Sequence, residues 1–217
     1  MGLEYKMRWN VKKGYKDLIQ KEKYELVLLD IMNSSKIVFP KTYKHIEEQS
    51  DGESDYITTD GDEYLDAKVL FYQEQCKAIK FDETNDFFNK LSTEINEIYE
   101  LISQGDIERL QETKLFVEMN MRINSIKENE DLILFFPFAI TDENSKSLTG
   151  NCGNDIFSHI IYKIREKFPS KVNSMKIYMI YPNFENKIVL KEYEQDNMKI
   201  EFLRKNFLKK YIECEYV

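Results

Sequence analysis

The sequence predicts an α/β fold, with one central mixed β-sheet flanked by helices. Three observations carry that prediction. Helical and strand-like segments alternate in the order helix, hairpin, helices, strand, helix, strands, helix. The stretch "DLILFFPFAI", 131–140, is apolar almost throughout, as a strand covered on both faces must be. Finally, there are only 7 Gly and 4 Pro in 217 residues, which predicts few turns and long elements.

In chain order, residues 11–33, "VKKGYKDLIQKEKYELVLLDIMN", read as a helix with Leu18, Ile19, Leu26, Leu29 and Ile31 as its apolar stripe. Within it "ELVLLDIM" also fits a strand, and periodicity does not separate the two. "KIVFPKTYKHIEEQSDGES" is a short extended piece and then a polar loop that includes His45. Residues 56–68, "YITTDGDEYLDAK", are two short strands joined by a turn at Asp60-Gly61, the dipeptide that hairpin turns favour. "FYQEQCKAI" leads into a helix. Residues 83–103 are an amphipathic helix, with Phe87, Phe88, Leu91, Ile95, Ile98 and Ile102 at helical spacing. Gly105 ends it, and Asp106 caps a second helix running to about residue 126. After the apolar strand come a loop ("TDENSKSLTGNCGN"), a helix over 155–168, and two neighbouring strands, "MKIYMIY" and "KIVLKEY". Residues 197–212 read as helix. The chain is expected to form a single domain, 1–217, with 83–128 a helical segment or insertion.

Composition narrows the function. Hydrophobic residues are 42% and aromatics 13%, enough for a sizeable core. The net charge of −8 argues against a protein that merely coats nucleic acid. The charge is uneven, however. Residues 1–23 are basic, and Lys12, Lys13 and Lys16 interleave with Trp9 and Tyr15, a pattern able to follow a nucleic-acid backbone. Between Lys44 and Lys68 there is no Lys or Arg and there are nine acids. Cys76, Cys152 and Cys214 are odd in number and widely spaced, which predicts neither a disulfide framework nor a zinc site. The opening residues lack a signal-peptide apolar core, and no run reaches about 18 apolar residues. The expected setting is the cytoplasm, without a membrane.

The hairpin holds the chemistry. Alternation puts Leu65, Ala67, Val69 and Phe71 on one face of the second strand, and Tyr64, Asp66, Lys68 and Leu70 on the other. The turn folds Asp55, just before the first strand, towards Asp66. Two carboxylates then converge with a lysine beside them. Close carboxylates resist ionising together, and a divalent cation relieves that repulsion. Mg²⁺ accepts a few carboxylates, several waters and a substrate phosphate, so the pattern suits phosphodiester hydrolysis.

In "SDYITTDGDEYLDAKVLF" this pattern resembles the PD-(D/E)xK nuclease superfamily, of restriction-endonuclease-like fold. The family has an Asp at the start of one strand and (Asp/Glu)-x-Lys on the next, hairpin-linked strand. The resemblance implies Asp55 and Asp66 as metal ligands, the Ala67 carbonyl as a third, and Lys68 as the catalytic lysine. It implies an upstream helical acid, Glu22 or Glu25, and a Gln beyond the lysine, Gln73 or Gln75. Ser54 stands where Pro is common in the family. The resemblance covers about residues 20–80. It makes the chain a Mg²⁺-dependent (or Mn²⁺-dependent) nuclease acting on DNA, with a homodimer as a possible assembly. A non-catalytic scaffold that binds protein or nucleic acid is the alternative. The bare triplet is not distinctive, since Glu112-Thr113-Lys114 and two others share its spacing. Strand context and the upstream Asp single out the first.

Two weaker patterns carry less. The acidic hairpin loop fails the EF-hand template. Cys152 in "TGNCGND" precedes a helix bearing His159, which suggests a Cys–His hydrolase only loosely.

Overall fold

The computed structural model describes residues 7–11, 21–46, 54–71, 84–127, 130–136, 138–139, 156–167, 175–182, 187–193, 198–204 and 212–215. In chain order the elements are β1 (Met7–Val11), α1 (Lys21–Ser34), β2 (Tyr43–His45), β3 (Tyr56–Thr58), β4 (Tyr64–Val69), α2 (Thr84–Gln104), α3 (Ile107–Glu112), α4 (Lys114–Ser125), β5 (Asp131–Phe135), β6 (Phe138–Ala139), α5 (Ile156–Lys167), β7 (Ile177–Pro182), β8 (Lys187–Tyr193), β9 (Met198–Arg204) and β10 (Ile212–Glu215).

A seven-stranded mixed sheet runs β2-β3-β4-β5-β7-β8-β9. β2, β3 and β4 form an antiparallel meander. β4, β5 and β7 are parallel, and β8 and β9 return antiparallel. A second, antiparallel sheet has the order β10-β1-β6. The fold is therefore α/β, as the sequence predicts. The central β5 shows why its sequence is apolar: Leu132, Ile133, Leu134 and Phe135 are all fully buried, alternating between two cores.

Those cores divide the sheet's faces. Ile133 and Phe135, with Leu65, Ala67 and Val69 of β4, pack under α1. Leu132 and Leu134 pack under α2, α4 and α5. The α1 core residues are Tyr24, Val27, Leu28, Ile31 and Met32, spaced as one helical stripe. "ELVLLDIM" is therefore helix, and its buried face differs from the expected one: Leu26 is exposed and Leu29 only partly covered. Val11 belongs to β1, so the helix does not begin there; Leu18 and Ile19 lie outside the described residues.

Four other expectations are corrected. In the stretch expected to be helix over 197–212, residues 198–204 instead form β9, where Ile200 and Leu203 alternate between the two cores; 197 and 205–211 lie outside the described residues. The helix expected over 106–126 is two helices. Asp106 caps the first by accepting from the Arg109 N–H. Thr113 interrupts with an extended backbone and caps the second by accepting from Phe116 N–H at 3.4 Å. The apolar strand at 131–140 is split between the two sheets, with Pro137, which has no N–H to give a ladder, between the pieces in sequence. Phe71 does not join Leu65 and Val69. It follows the end of β4 with φ of +56° and packs in the α2–α5 core, its ring 6.5 Å from Phe136.

The hairpin turn matches its residues. Gly61 has φ of +82°, and Thr58 Oγ1 accepts from the N–H groups of Asp62 and Glu63. Among the described residues no helix is long and apolar enough to cross a membrane.

A candidate functional site of two carboxyl groups and a lysine

The β3–β4 register pairs Tyr56 with Leu65 and Ile57 with Tyr64. One step further, Asp55 stands opposite Asp66. Tyr56 and Leu65 are buried under α1, so alternation turns Asp55 and Asp66 to the other face. Lys68 shares that face, two residues along β4.

Asp55 is fully buried and held from both sides. Its carbonyl accepts from Ile46 N–H at 3.0 Å, and its Oδ2 accepts from Ala67 N–H at 2.7 Å. Asp66 lies close enough to Asp55 for that carboxyl group to raise its pKa. On its other side Lys68 Nζ lies 2.5 Å from Asp66 Oδ2. The structure thus brings Asp55, Asp66 and Lys68 together, with the Ala67 backbone between the acids. The Lys68 side chain keeps 22% of its exposure, so the group opens to solvent on the lysine side.

The electrostatics follow from this packing. Burial, then the hydrogen bond to Asp55 and its charge, push the Asp66 carboxyl up to about 7, against the pull of Lys68. Near neutral pH a proton can therefore stay on Asp66, beside Asp55. Beneath them Tyr56 is kept neutral, by burial first and then by the charges of Asp55, Glu25 and Asp66. Its hydroxyl donates to the Glu25 carbonyl at 2.8 Å.

Two carboxyl groups are a hard oxygen donor set, which fits Mg²⁺ or Mn²⁺. Among the described residues no group of three or more His, Cys, Asp or Glu side chains is arranged to hold a metal. The pair would have to share a cation with water, backbone or substrate oxygens, which Mg²⁺ tolerates.

Glu25 has His45 as a partner. It sits on α1, over the opposite face, and its Oε2 is 2.8 Å from His45 Nε2. His45 is accordingly a strand residue with a buried partner, not the loop residue the sequence suggests. Lys12, Lys13, Lys16, Gln73, Gln75 and Cys152 lie outside the described residues, as does the side chain of Glu22. His159 is on α5, where burial lowers its imidazole pKa.

Two features escape a reading of the sequence. Lys41 gathers the turn acids, at 2.7 Å from Asp62, 3.0 Å from Glu63 and 4.0 Å from Asp60. In addition, Ser54 Oγ donates to Glu130 Oε1 at 2.8 Å, across 76 residues of sequence. The only local signals were a serine before the key aspartate and an acid opening the apolar run.

Compared with models of known families, with curated proteins and with solved structures, the chain matches none.

Proposed function

We propose that the protein is a Mg²⁺-dependent (or Mn²⁺-dependent) nuclease of the PD-(D/E)xK, restriction-endonuclease-like kind, hydrolysing phosphodiester bonds in DNA in the cytoplasm. The observation that carries this reading is the meeting of Asp55, Asp66 and Lys68 on one sheet face, with Lys68 Nζ 2.5 Å from Asp66. A cation bound there would supply Lewis-acid stabilisation of charge on the phosphoryl group. The chain's own residues do the rest. Asp55, fixed by the Ala67 N–H, offers an oriented carboxylate. Asp66 would lose its proton to solvent as the cation binds. Lys68 then holds the attacking water, or the phosphoryl oxygens as their charge grows. With a net charge of −8, attraction for DNA must come from a local source, such as the basic segment around Lys12, Lys13 and Lys16 or a second subunit.

The test is cleavage of plasmid DNA, linear DNA and RNA in Mg²⁺ or Mn²⁺, with EDTA as blank. Lys68→Ala should keep metal and DNA binding but lose most cleavage, because an interaction needed mainly in the transition state has gone. Lys114→Ala, altering the helical triplet, should cut normally. Lys68→Ala cutting as fast as wild type would sink the nuclease reading.

The second reading is a nuclease-like scaffold that binds protein or nucleic acid without cutting. The ion pair between Lys68 and Asp66 favours it, since each charge is already answered without a metal. DNA binding without cleavage by purified wild type would select it.

A further inference from the structure

The carboxylate of Asp55 can serve the proposed site only if the chain before β3 holds it still. Ser54 is the residue that enters this position, and it is buried at 4% exposure. Its hydroxyl reaches out of the hairpin to Glu130, directly before β5. β5 is the strand that pairs with β4, in a register that sets Leu132 beside Asp66. One hydrogen bond therefore ties the lead-in to Asp55 to the strand flanking Asp66.

We infer that Ser54 and Glu130 are positioning residues: their hydrogen bond fixes where the Asp55 carboxylate stands relative to Asp66. The inference rests on the nuclease reading for its purpose and on geometry for its content. A proline here would restrict the backbone by its ring. A serine leaves φ free, and the tether to Glu130 does the restricting instead. A carboxylate oxygen accepts the bond, and it is half-shielded from water, so it is stronger than a fully exposed one. Asp55 is then held at three points: Ser54 to Glu130, its own carbonyl to Ile46 N–H, and its carboxylate to Ala67 N–H. Loss of the first leaves the carboxylate freer to turn, and the Ala67 N–H is the first group to feel it.

Two readouts test this. The first is hydrogen exchange at the Ala67 amide, compared with the Val69 amide of the same strand. Ser54→Ala and Glu130→Ala should each speed exchange at Ala67 by about tenfold or more while Val69 changes little. Ser54→Thr, which keeps a hydroxyl, and Glu130→Gln, which keeps an acceptor, should restore protection. The double alanine variant should be no worse than either single one, because one bond is lost in all three. The second readout is Mn²⁺ affinity by calorimetry. Ser54→Ala should weaken it by about 10-fold, the usual effect of removing a group that orients a ligand. Cleavage should then recover as Mn²⁺ is raised. Unchanged Ala67 exchange in Ser54→Ala overturns the positioning role. A wild type that binds no Mn²⁺ sinks the nuclease reading alone, because the exchange comparison still decides the role of Ser54 and Glu130.

Discussion

Asp66-Ala67-Lys68 and Glu112-Thr113-Lys114 have the same spacing of acid and lysine, and the fold treats them in opposite ways. The first lies in β4, where alternation turns the acid and the lysine to one face and the residue between them to the other. Asp66 is buried, Lys68 is against it, and Ala67 packs under α1. The second spans the junction of α3 and α4. Glu112 and Lys114 are exposed, and the residue between them is buried because its hydroxyl caps a helix. In the strand the outer residues meet each other on one face, beside Asp55. At the helix junction the middle one carries the structure. Spacing alone says nothing about chemistry until the backbone decides which side chains share a face.

The comparison breaks most sharply on metal-dependent activity. Under the proposed function Asp66→Ala removes a ligand, and cleavage should fall by at least about 100-fold, with Mn²⁺ binding lost in calorimetry. Glu112→Ala should leave both at the wild-type level. Equal losses in the two variants would mean that β4 and the helix junction do not differ in the way argued.

Next in size is the dependence of stability on pH. The Asp66 carboxyl titrates at about 7 in the folded chain and at about 3.9 unfolded. Folding thus favours its protonated form. The stability this confers is fully present below pH ~4 and is lost as pH rises through about 7. Asp66→Asn cannot lose that proton. The stability difference, wild type minus Asp66→Asn, should therefore decline by roughly a few kcal/mol between pH ~4 and ~8 in metal-free urea denaturation. A flat difference would mean that Asp66 ionises freely beside Asp55. Under the proposed function the same proton must leave before a cation can bind. Mn²⁺ affinity should accordingly rise with pH through about 7, with proton release measurable by calorimetry in buffers of different ionisation enthalpy.

Much of this was legible in the sequence, and the rest was hidden for identifiable reasons. The hairpin, the apolar β5 and the α2 stripe follow from short-range rules of turn chemistry and periodicity. The facing of Asp55 and Asp66 follows from the same rules, because a tight turn fixes register. β9 was misread because "NMKIEFLRKN" has helix-forming residues, and only pairing with β8 makes it extended. The break at Thr113 was hidden because Glu94, 21 residues upstream, accepts from Leu115 N–H at 2.7 Å and so helps satisfy the new helix end. The pairings of Glu25 with His45, and of Ser54 with Glu130, are made by folding alone. No local pattern announces them.

The smallest effect tests the structural half of the comparison. Thr113 accepts from Phe116 N–H and donates to the Leu110 carbonyl at 2.8 Å, joining the end of α3 to the start of α4. Thr113→Ala removes both bonds. Cap loss costs about 1 kcal/mol. The retained Glu94 contact at Leu115 and the long 3.4 Å bond to Phe116 put the expected cost at the lower end. For a chain of this size a cost of ~0.5 kcal/mol is a drop in Tm of roughly 1–2 °C in calorimetry or circular dichroism. Thr113→Ser keeps the hydroxyl and should recover most of it. Neither variant should alter cleavage or Mn²⁺ affinity, since Thr113 touches neither carboxyl group. Should Thr113→Ala change activity while leaving Tm unmoved, the division of labour between the two triplets would be wrong, and the helix junction would belong to the site.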